Sequence, residues 1–215
     1  MKKGEAQDLI HSMLKPLVAD RGFRFKRGID GGFFRSIPTG NQHVGVSFVD
    51  YGATFKFSLV VGIRLDEVEN IVNKFNVAPP KYHLLTETFG ARLDRFMREG
   101  EESQFVVVEE ADIRETFVRL KPIIRERILP FLDAAQDIHT VAKAMNLTDV
   151  PKILPGAPNM SAIAIARLIQ HPEFETIAAT YQQRSSEFRK STQENLQNFI
   201  EYLRGTLKKG SWVDY

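Results

Sequence analysis

Apolar and polar residues alternate through four short runs between Phe23 and Val61, and this period of two constrains the fold more than any other feature of the sequence. Such a period is typical of β-strands that bury one face. Residues 1–63 hold nine of the 14 glycines of the chain, and glycines and short polar turns separate the runs. We therefore expect an antiparallel meander on one core. The residues expected to point into that core are Phe23, Phe25, Val44, Val46, Phe48, Phe55, Phe57, Leu59 and Val61.

Helical periods flank the predicted sheet. Residues 5–20 carry apolar side chains at spacings of three and four, and a second stripe follows Asp66, whose partner Glu69 completes a capping box. Asp112 with Glu115 predicts another box and another helix. We therefore expect an α+β fold, in which an antiparallel sheet of four to six strands carries helices on one face and precedes a helical C-terminal half.

Prolines crowd into residues 151–158, which form the clearest linker of the chain. This linker predicts an α+β domain over residues 1–150 and a helical region over residues 151–215 packed on it, as two domains or as one continuous domain. Residues 173–204 contain neither glycine nor proline, so they form one long helix or two helices that meet near residues 182–186.

Composition excludes several classes of protein. The absence of cysteine excludes disulfide frameworks, thiolate zinc sites, iron–sulfur clusters and cysteine nucleophiles. Lysine and arginine number 29 against 27 acidic residues, and a net charge of +2 does not indicate nucleic acid or a membrane as a partner. The first residues lead directly into an amphipathic segment, so we expect a cytoplasmic protein without a membrane span. No cofactor is expected, because nucleotide-binding and paired-histidine motifs are missing.

The five histidines fall in different predicted elements, so no helical metal pair exists. An enzyme stays an alternative in which His83 or His139 acts with an acidic partner as an acid–base pair, at a site between the sheet and the helical half. The match of residues 12–15 to the Ser-x-x-Lys pattern of serine β-lactamases lacks the companion motifs of those enzymes. We therefore assign no catalytic residue.

The outward side of the predicted meander is rich in cations. Arg24, Lys26 and Lys56 alternate with apolar residues, and Arg35 lies near a strand end. Such a face can receive an acidic protein or, with its interleaved aromatics, single-stranded nucleic acid, although the low net charge disfavours the latter. It can also be a solvated face whose cations protect the sheet edges. We expect Arg24, Lys26, Arg35 and Lys56 to contact another protein.

Several segments in a fixed order carry a resemblance to a known family. They are the amphipathic first helix, the segment Gly22-Phe23-Arg24-Phe25-Lys26-Arg27, the strands at 33–35 and 46–48, the Gly62-Ile63 exit into a helix, the run Phe105-Val106-Val107-Val108, and the helix at 113–129 with the segment 129–133. This order resembles the bacterial domain of unknown function 4304 family over about residues 5–145.

The resemblance implies a compact α+β domain with no assigned activity and no catalytic residues to transfer. Looser relatives look like immunity proteins that neutralise toxins, which favours a non-catalytic protein-binding module. The helical region after residue 151 is longer than the family pattern, and we expect it to form either a homodimer surface or an added lid.

Overall fold

The computed structural model describes residues 1–27, 31–52, 54–76, 78–145, 147 and 159–206. The chain groups into two compact units, each built from two stretches of sequence. The first unit is Met1–Arg64 with Phe89–Gln136, and the second is Leu65–Thr88 with Asp137–Tyr215. The predicted linker at 151–158 lies outside the described residues, so the division into residues 1–150 and 151–215 stays a prediction.

The first unit holds an antiparallel sheet, which confirms the predicted α+β class. Its strands run in the order β1-β2-β3-β4-β5, and β6 pairs with β4. Strand β5 pairs with Val60–Ile63 of β4, and β6 pairs with Phe55–Phe57 of the same strand. The strands are β1 (Arg24–Lys26), β2 (Gly32–Ile37), β3 (Gly40–Asp50), β4 (Phe55–Leu65), β5 (Phe89–Arg92) and β6 (Phe105–Val107).

Three α-helices of the first unit are α1 (Lys3–Val18), α3 (Glu110–Ile123) and α4 (Leu129–Ala134). Helix α3 contains Pro122, and a π-helical turn over Ile124–Ile128 follows directly before α4. Because proline removes one backbone donor from a helix, a local change of hydrogen-bond pattern next to it is expected.

The core of this unit contains most of the strand residues that the period of two predicts, but two of them deviate. Phe48 is only half-buried. Phe25 is 43% exposed, because β1 is a three-residue edge strand and leaves the ring at the margin of the core. There the ring lies 4.9 Å from His11 of α1, whose pKa burial lowers below its usual value. The buried residues are Phe23, Val44, Val46, Phe55, Phe57, Leu59 and Val61.

Arg35 lies on the core side of the sheet, which we call the inner face. Its Nη1 atom donates to Oδ1 of Asp133 in α4 at 2.7 Å, and its Nε and Nη2 atoms donate to Gln42 Oε1 at 3.0 and 2.6 Å. The Gln42 amide, fully buried, donates in turn to the carbonyls of Leu132 and Ala135. Arg35 therefore ties α4 to the inner faces of β2 and β3 and does not share a surface with the other predicted contact residues.

The second unit contains five α-helices in its described part: α2 (Asp66–Val72), α5 (Ile138–Ala144), α6 (Met160–Leu168), α7 (Phe174–Ser185) and α8 (Lys190–Thr206). Residues 173–204 thus form two helices, and the break falls just after the predicted position. The apolar stripe of α8 packs against α6 and α7, so it offers no support for the predicted homodimer through these helices. No helix in the described residues is sufficiently long and apolar to cross a bilayer. The stripe consists of Leu196, Phe199, Ile200 and Leu203.

Two predicted capping boxes differ from the observed ones. Helix α2 follows Leu65 without a side-chain cap, and Glu69 is buried, where it accepts hydrogen bonds from Thr88 Oγ1 at 3.1 Å and Ser161 Oγ at 3.0 Å. Helix α3 begins one turn earlier than predicted, because Asp112 closes a box with the N-cap residue Glu109. Buried tertiary partners and a competing local acid therefore override the simple spacing rule.

We expect Asp133→Ala to lower the free energy of unfolding by about 1–3 kcal/mol, because a mostly buried guanidinium loses its charged acceptor. The Arg35 side chain is 14% exposed, and Arg21 also pairs with Asp133 at 2.5 Å. Urea denaturation measures the change. The control is Glu102→Ala, which removes an ion pair with Arg119 whose side chains are 67% and 52% exposed and should change stability little. Equal losses in both variants would contradict the structural role of Asp133.

Candidate binding face of the sheet

Alternate strand residues point away from the buried core, and together they form what we call the outer face. Burial alternates along β5 and β6, and the strand pairing extends the two faces to the neighbouring strands. The pairing of β1, β2 and β3 aligns outer-face residues in rows across the strands. Two such rows are Arg24–Phe34–His43 and Lys26–Gly32–Gly45.

Two contacts fix how β3 aligns with β4. A Cβ atom added at Gly45 would lie 3.1 Å from Cγ2 of Val60, and the N–H of Tyr51 donates to the carbonyl of Thr54 at 2.9 Å in the connecting turn. Both contacts correspond to one antiparallel register. In this register Val49 of β3 lies opposite Lys56 of β4.

Basic side chains outnumber acidic ones on the outer face. Arg24, Lys26 and Arg92 are exposed there, Lys56 is half-exposed, and Arg64 is buried. None of the outer-face strand positions that the structure describes holds aspartate or glutamate. The face therefore has a strong positive character, although the whole chain has a net charge of only +2.

The structure thus brings three of the four predicted contact residues to one face and leaves Arg35 on the other. Lys26 and Lys56 stand three strands apart, about 14 Å across the sheet, and are also offset by four residues, about 13 Å, along the strands. The guanidinium of Arg24 is partly engaged, because Nη1 donates to the carbonyls of Ala19 and Phe23 at 2.9 and 3.0 Å. Lys26 and Lys56 are therefore the more available of the predicted contacts.

Phe34 and His43 form a flat pair on the outer face, which we call the aromatic platform. Their ring centroids lie 5.3 Å apart with planes at 20°, and both rings are half-buried. Glycines make room for them: a Cβ at Gly32 would lie 3.6 Å from the Phe34 ring, and one at Gly45 would lie 3.2 Å from Nε2 of His43. The ammonium of Lys26 lies 5.5 Å from the Phe34 ring centroid, so a cation adjoins the platform.

A second feature of the outer face is a line of two valines with a lysine between them. Val49, Lys56 and Val106 occupy neighbouring positions on β3, β4 and β6, and Val49 and Val106 are 48% and 52% exposed. The ring of Tyr51, 59% exposed, lies 5.6 Å from Nζ of Lys56. We call these four residues the valine–lysine row.

The sequence alone predicted neither the aromatic platform nor the valine–lysine row, and the reason is the same for both. The alternation along each strand placed single residues on a face, but Phe34 meets His43, and Lys56 meets Val106, only through the pairing of different strands. A usable signal was present in Gly32 and Gly45, since glycine inside a strand often marks a close approach.

The histidines of the predicted enzymatic alternative both lie in the second unit. A ring nitrogen of His83 lies 2.8 Å from the carbonyl of Ala78. His139 lies in the first turn of α5, where its backbone N–H donates to Asp137 Oδ1. The described residues contain no cluster of three or more histidine or acidic side chains suited to a metal ion. The pairing of either histidine with an acidic partner in catalysis stays a prediction.

Comparisons with family models, with curated proteins and with solved structures find no match. The resemblance to the bacterial domain of unknown function 4304 family stays a prediction, and the function is argued from the geometry of the outer face.

We expect Gly45→Ala to displace the His43 ring and to lower the free energy of unfolding by about 1 kcal/mol, since an added Cβ overpacks this row. The added Cβ would lie 3.1 Å from Cγ2 of Val60 and 3.2 Å from Nε2 of His43. Urea denaturation and the His43 ring resonances in an NMR spectrum measure both effects. Gly4→Ala, where a Cβ meets nothing within 4 Å, is the control and should not destabilise the chain. An unchanged His43 signal in Gly45→Ala would contradict the packing.

Proposed function

We propose that this chain is a non-catalytic recognition module that binds an acidic protein through the outer face of its sheet. The observation that supports this proposal is the set of exposed and half-exposed cations on a face without a single acidic strand residue in the described chain. Complementary charge accelerates encounter with an acidic partner and disfavours partners of like charge. Arg24, Lys26 and Lys56 are assigned as contact residues, and no residue is assigned a catalytic role.

The pairing of charges elsewhere in the same unit strengthens the proposal. On the helical side, Arg114 pairs with Glu110, Arg119 with Glu102, and Arg127 with Glu101, and the last pair lowers the pKa of Glu101 to about 2. By contrast, four cations of the outer face form no ion pair with a described residue. The cations without such a pair are Arg24, Lys26, Lys56 and Arg92.

A surface whose cations served only for solubility would not need neighbouring exposed valines and tyrosine. Protein interfaces combine apolar or aromatic contact area with a few charged groups, and aromatic residues are enriched among the contacts that dominate binding. The valine–lysine row joins these elements within one part of the outer face. This combination therefore favours the binding of an acidic protein over a role of the outer face in solubility alone.

We expect the double variant Lys26→Glu/Lys56→Glu to lose its protein partner. The measurement is a pull-down from lysate of the source cells with identification and quantification of the captured protein by mass spectrometry. Reversal of two outer-face charges should reduce capture by about tenfold or more, because the encounter becomes repulsive. Arg24 is left intact, since its guanidinium caps backbone carbonyls.

The matched control is Lys121→Glu/Arg125→Glu, which changes the net charge equally at exposed positions in the helical part of the same unit. This control should retain capture of the identified protein. Circular dichroism verifies that both variants fold. Equal capture by both variants, or equal loss, would refute the proposed face.

A second candidate, single-stranded nucleic acid, is favoured by one observation, the stacked Phe34–His43 platform beside Lys26. Aromatic platforms with adjacent cations bind unstacked bases and phosphates. Titration with a thymidine oligonucleotide at two salt concentrations distinguishes this candidate, because affinity would fall steeply with salt. We expect little salt-sensitive binding, and a steep salt dependence that Phe34→Ala abolishes would replace the protein proposal.

A further inference from the structure

We propose that the valine–lysine row is the contact centre for the acidic partner, and that the partner presents a carboxylate next to large apolar side chains. This inference rests on the proposed function and specifies the chemistry of the segment that is bound. Lys56 supplies the charge, Val49 and Val106 supply apolar contact on both sides, and Tyr51 supplies an aromatic ring beside the ammonium.

The geometry of the row brings the four side chains within reach of one short segment. Neighbouring strands lie about 4.8 Å apart, so the two valines are about 10 Å from each other with Lys56 between them. Directly opposed residues of paired strands have Cβ atoms about 5 Å apart and act as one surface. Two or three consecutive residues of a partner can therefore contact the whole row.

The exposed apolar surface of the valine–lysine row indicates that the partner segment carries apolar side chains. Val49, Tyr51 and Val106 each keep about half or more of their surface in contact with solvent, at 48%, 59% and 52%. Large apolar side chains from a partner would remove this surface from water, which is the main favourable contribution in most protein associations.

The positive charge of Lys56 indicates that the partner segment also carries a carboxylate. Lys56 forms no ion pair with a described carboxylate, and its ammonium lies 5.6 Å from the centroid of the Tyr51 ring. A carboxylate that arrives together with apolar side chains would meet Lys56 in a locally dry environment, where charge-assisted hydrogen bonds are strongest. A phosphate backbone would supply the charge without covering the valines, so this row favours a protein segment over nucleic acid.

The test compares two peptides of equal charge by NMR titration of the full chain labelled with ¹⁵N. The apolar–acidic probe is acetyl-Leu-Asp-Leu-Glu-Leu-Asp-amide, and the polar–acidic probe is acetyl-Ser-Asp-Ser-Glu-Ser-Asp-amide. We expect the apolar–acidic probe to bind about tenfold more tightly, as burial of a few methyl groups implies. The largest shifts should fall on the amides of Val49, Lys56 and Val106.

The double variant Val49→Ser/Val106→Ser should abolish the preference between the two probes while retaining residual attraction to both. Val118→Ser is the control, because Val118 is a valine of α3 that is 74% exposed and lies away from the strands. Both substitutions are at exposed positions, and the NMR spectrum itself verifies the fold.

Three other outcomes are distinguishable. If both probes bind equally through the outer-face cations, the inference fails and the proposed function stands. If neither probe binds, the valine–lysine row is not the contact centre, and the inference is overturned. If only a thymidine oligonucleotide binds, with shifts on Phe34 and His43, both the inference and the protein-binding proposal are overturned.

Discussion

The register between β3 and β4 is the constraint on which the binding face depends. A shift of β4 by one residue would exchange the inner and outer faces of that strand, because side chains alternate with a period of two. Lys56 would then point into the core and Phe57, which is almost fully buried, would point to solvent. Such an exchange would bury a charge and expose a large apolar ring, and both changes are costly. The buried residues of the inner face therefore help to fix which side chains the same strands present on the outer face.

The period of two predicted the part of the site that lies on regular strands. Arg24, Lys26 and Lys56 share the outer face as the alternation requires. Arg35 does not, since it has the same parity as Phe33 and therefore points inward. Its inward position is stabilised by Asp133, which is 98 residues further along the chain. No local sequence pattern predicts an ion-pair partner so distant in the chain. A charged residue in a strand is ordinarily expected to face solvent.

Local rules failed where tertiary contacts supplied a stronger partner. The spacing of Asp66 and Glu69 matches a capping box, but Glu69 is buried against hydroxyl donors from Thr88 and Ser161. There the sequence pattern was present, and hydroxyl donors that are distant in sequence determined the outcome.

The net charge of the chain is a poor guide to its surface, because charged side chains are distributed differently on the helical side of the first unit and on the outer face of the sheet. On the helical side of the first unit, Arg114, Arg119 and Arg127 pair with glutamates, which reduces the field of these charges. The outer face of the sheet has no such acids in the described strands, and its positive charges add. A total of +2 is thus compatible with a strongly cationic surface. The partner that binds such a surface also depends on the side chains next to the cations. Val49 and Val106 lie on either side of Lys56, and these apolar neighbours favour a protein.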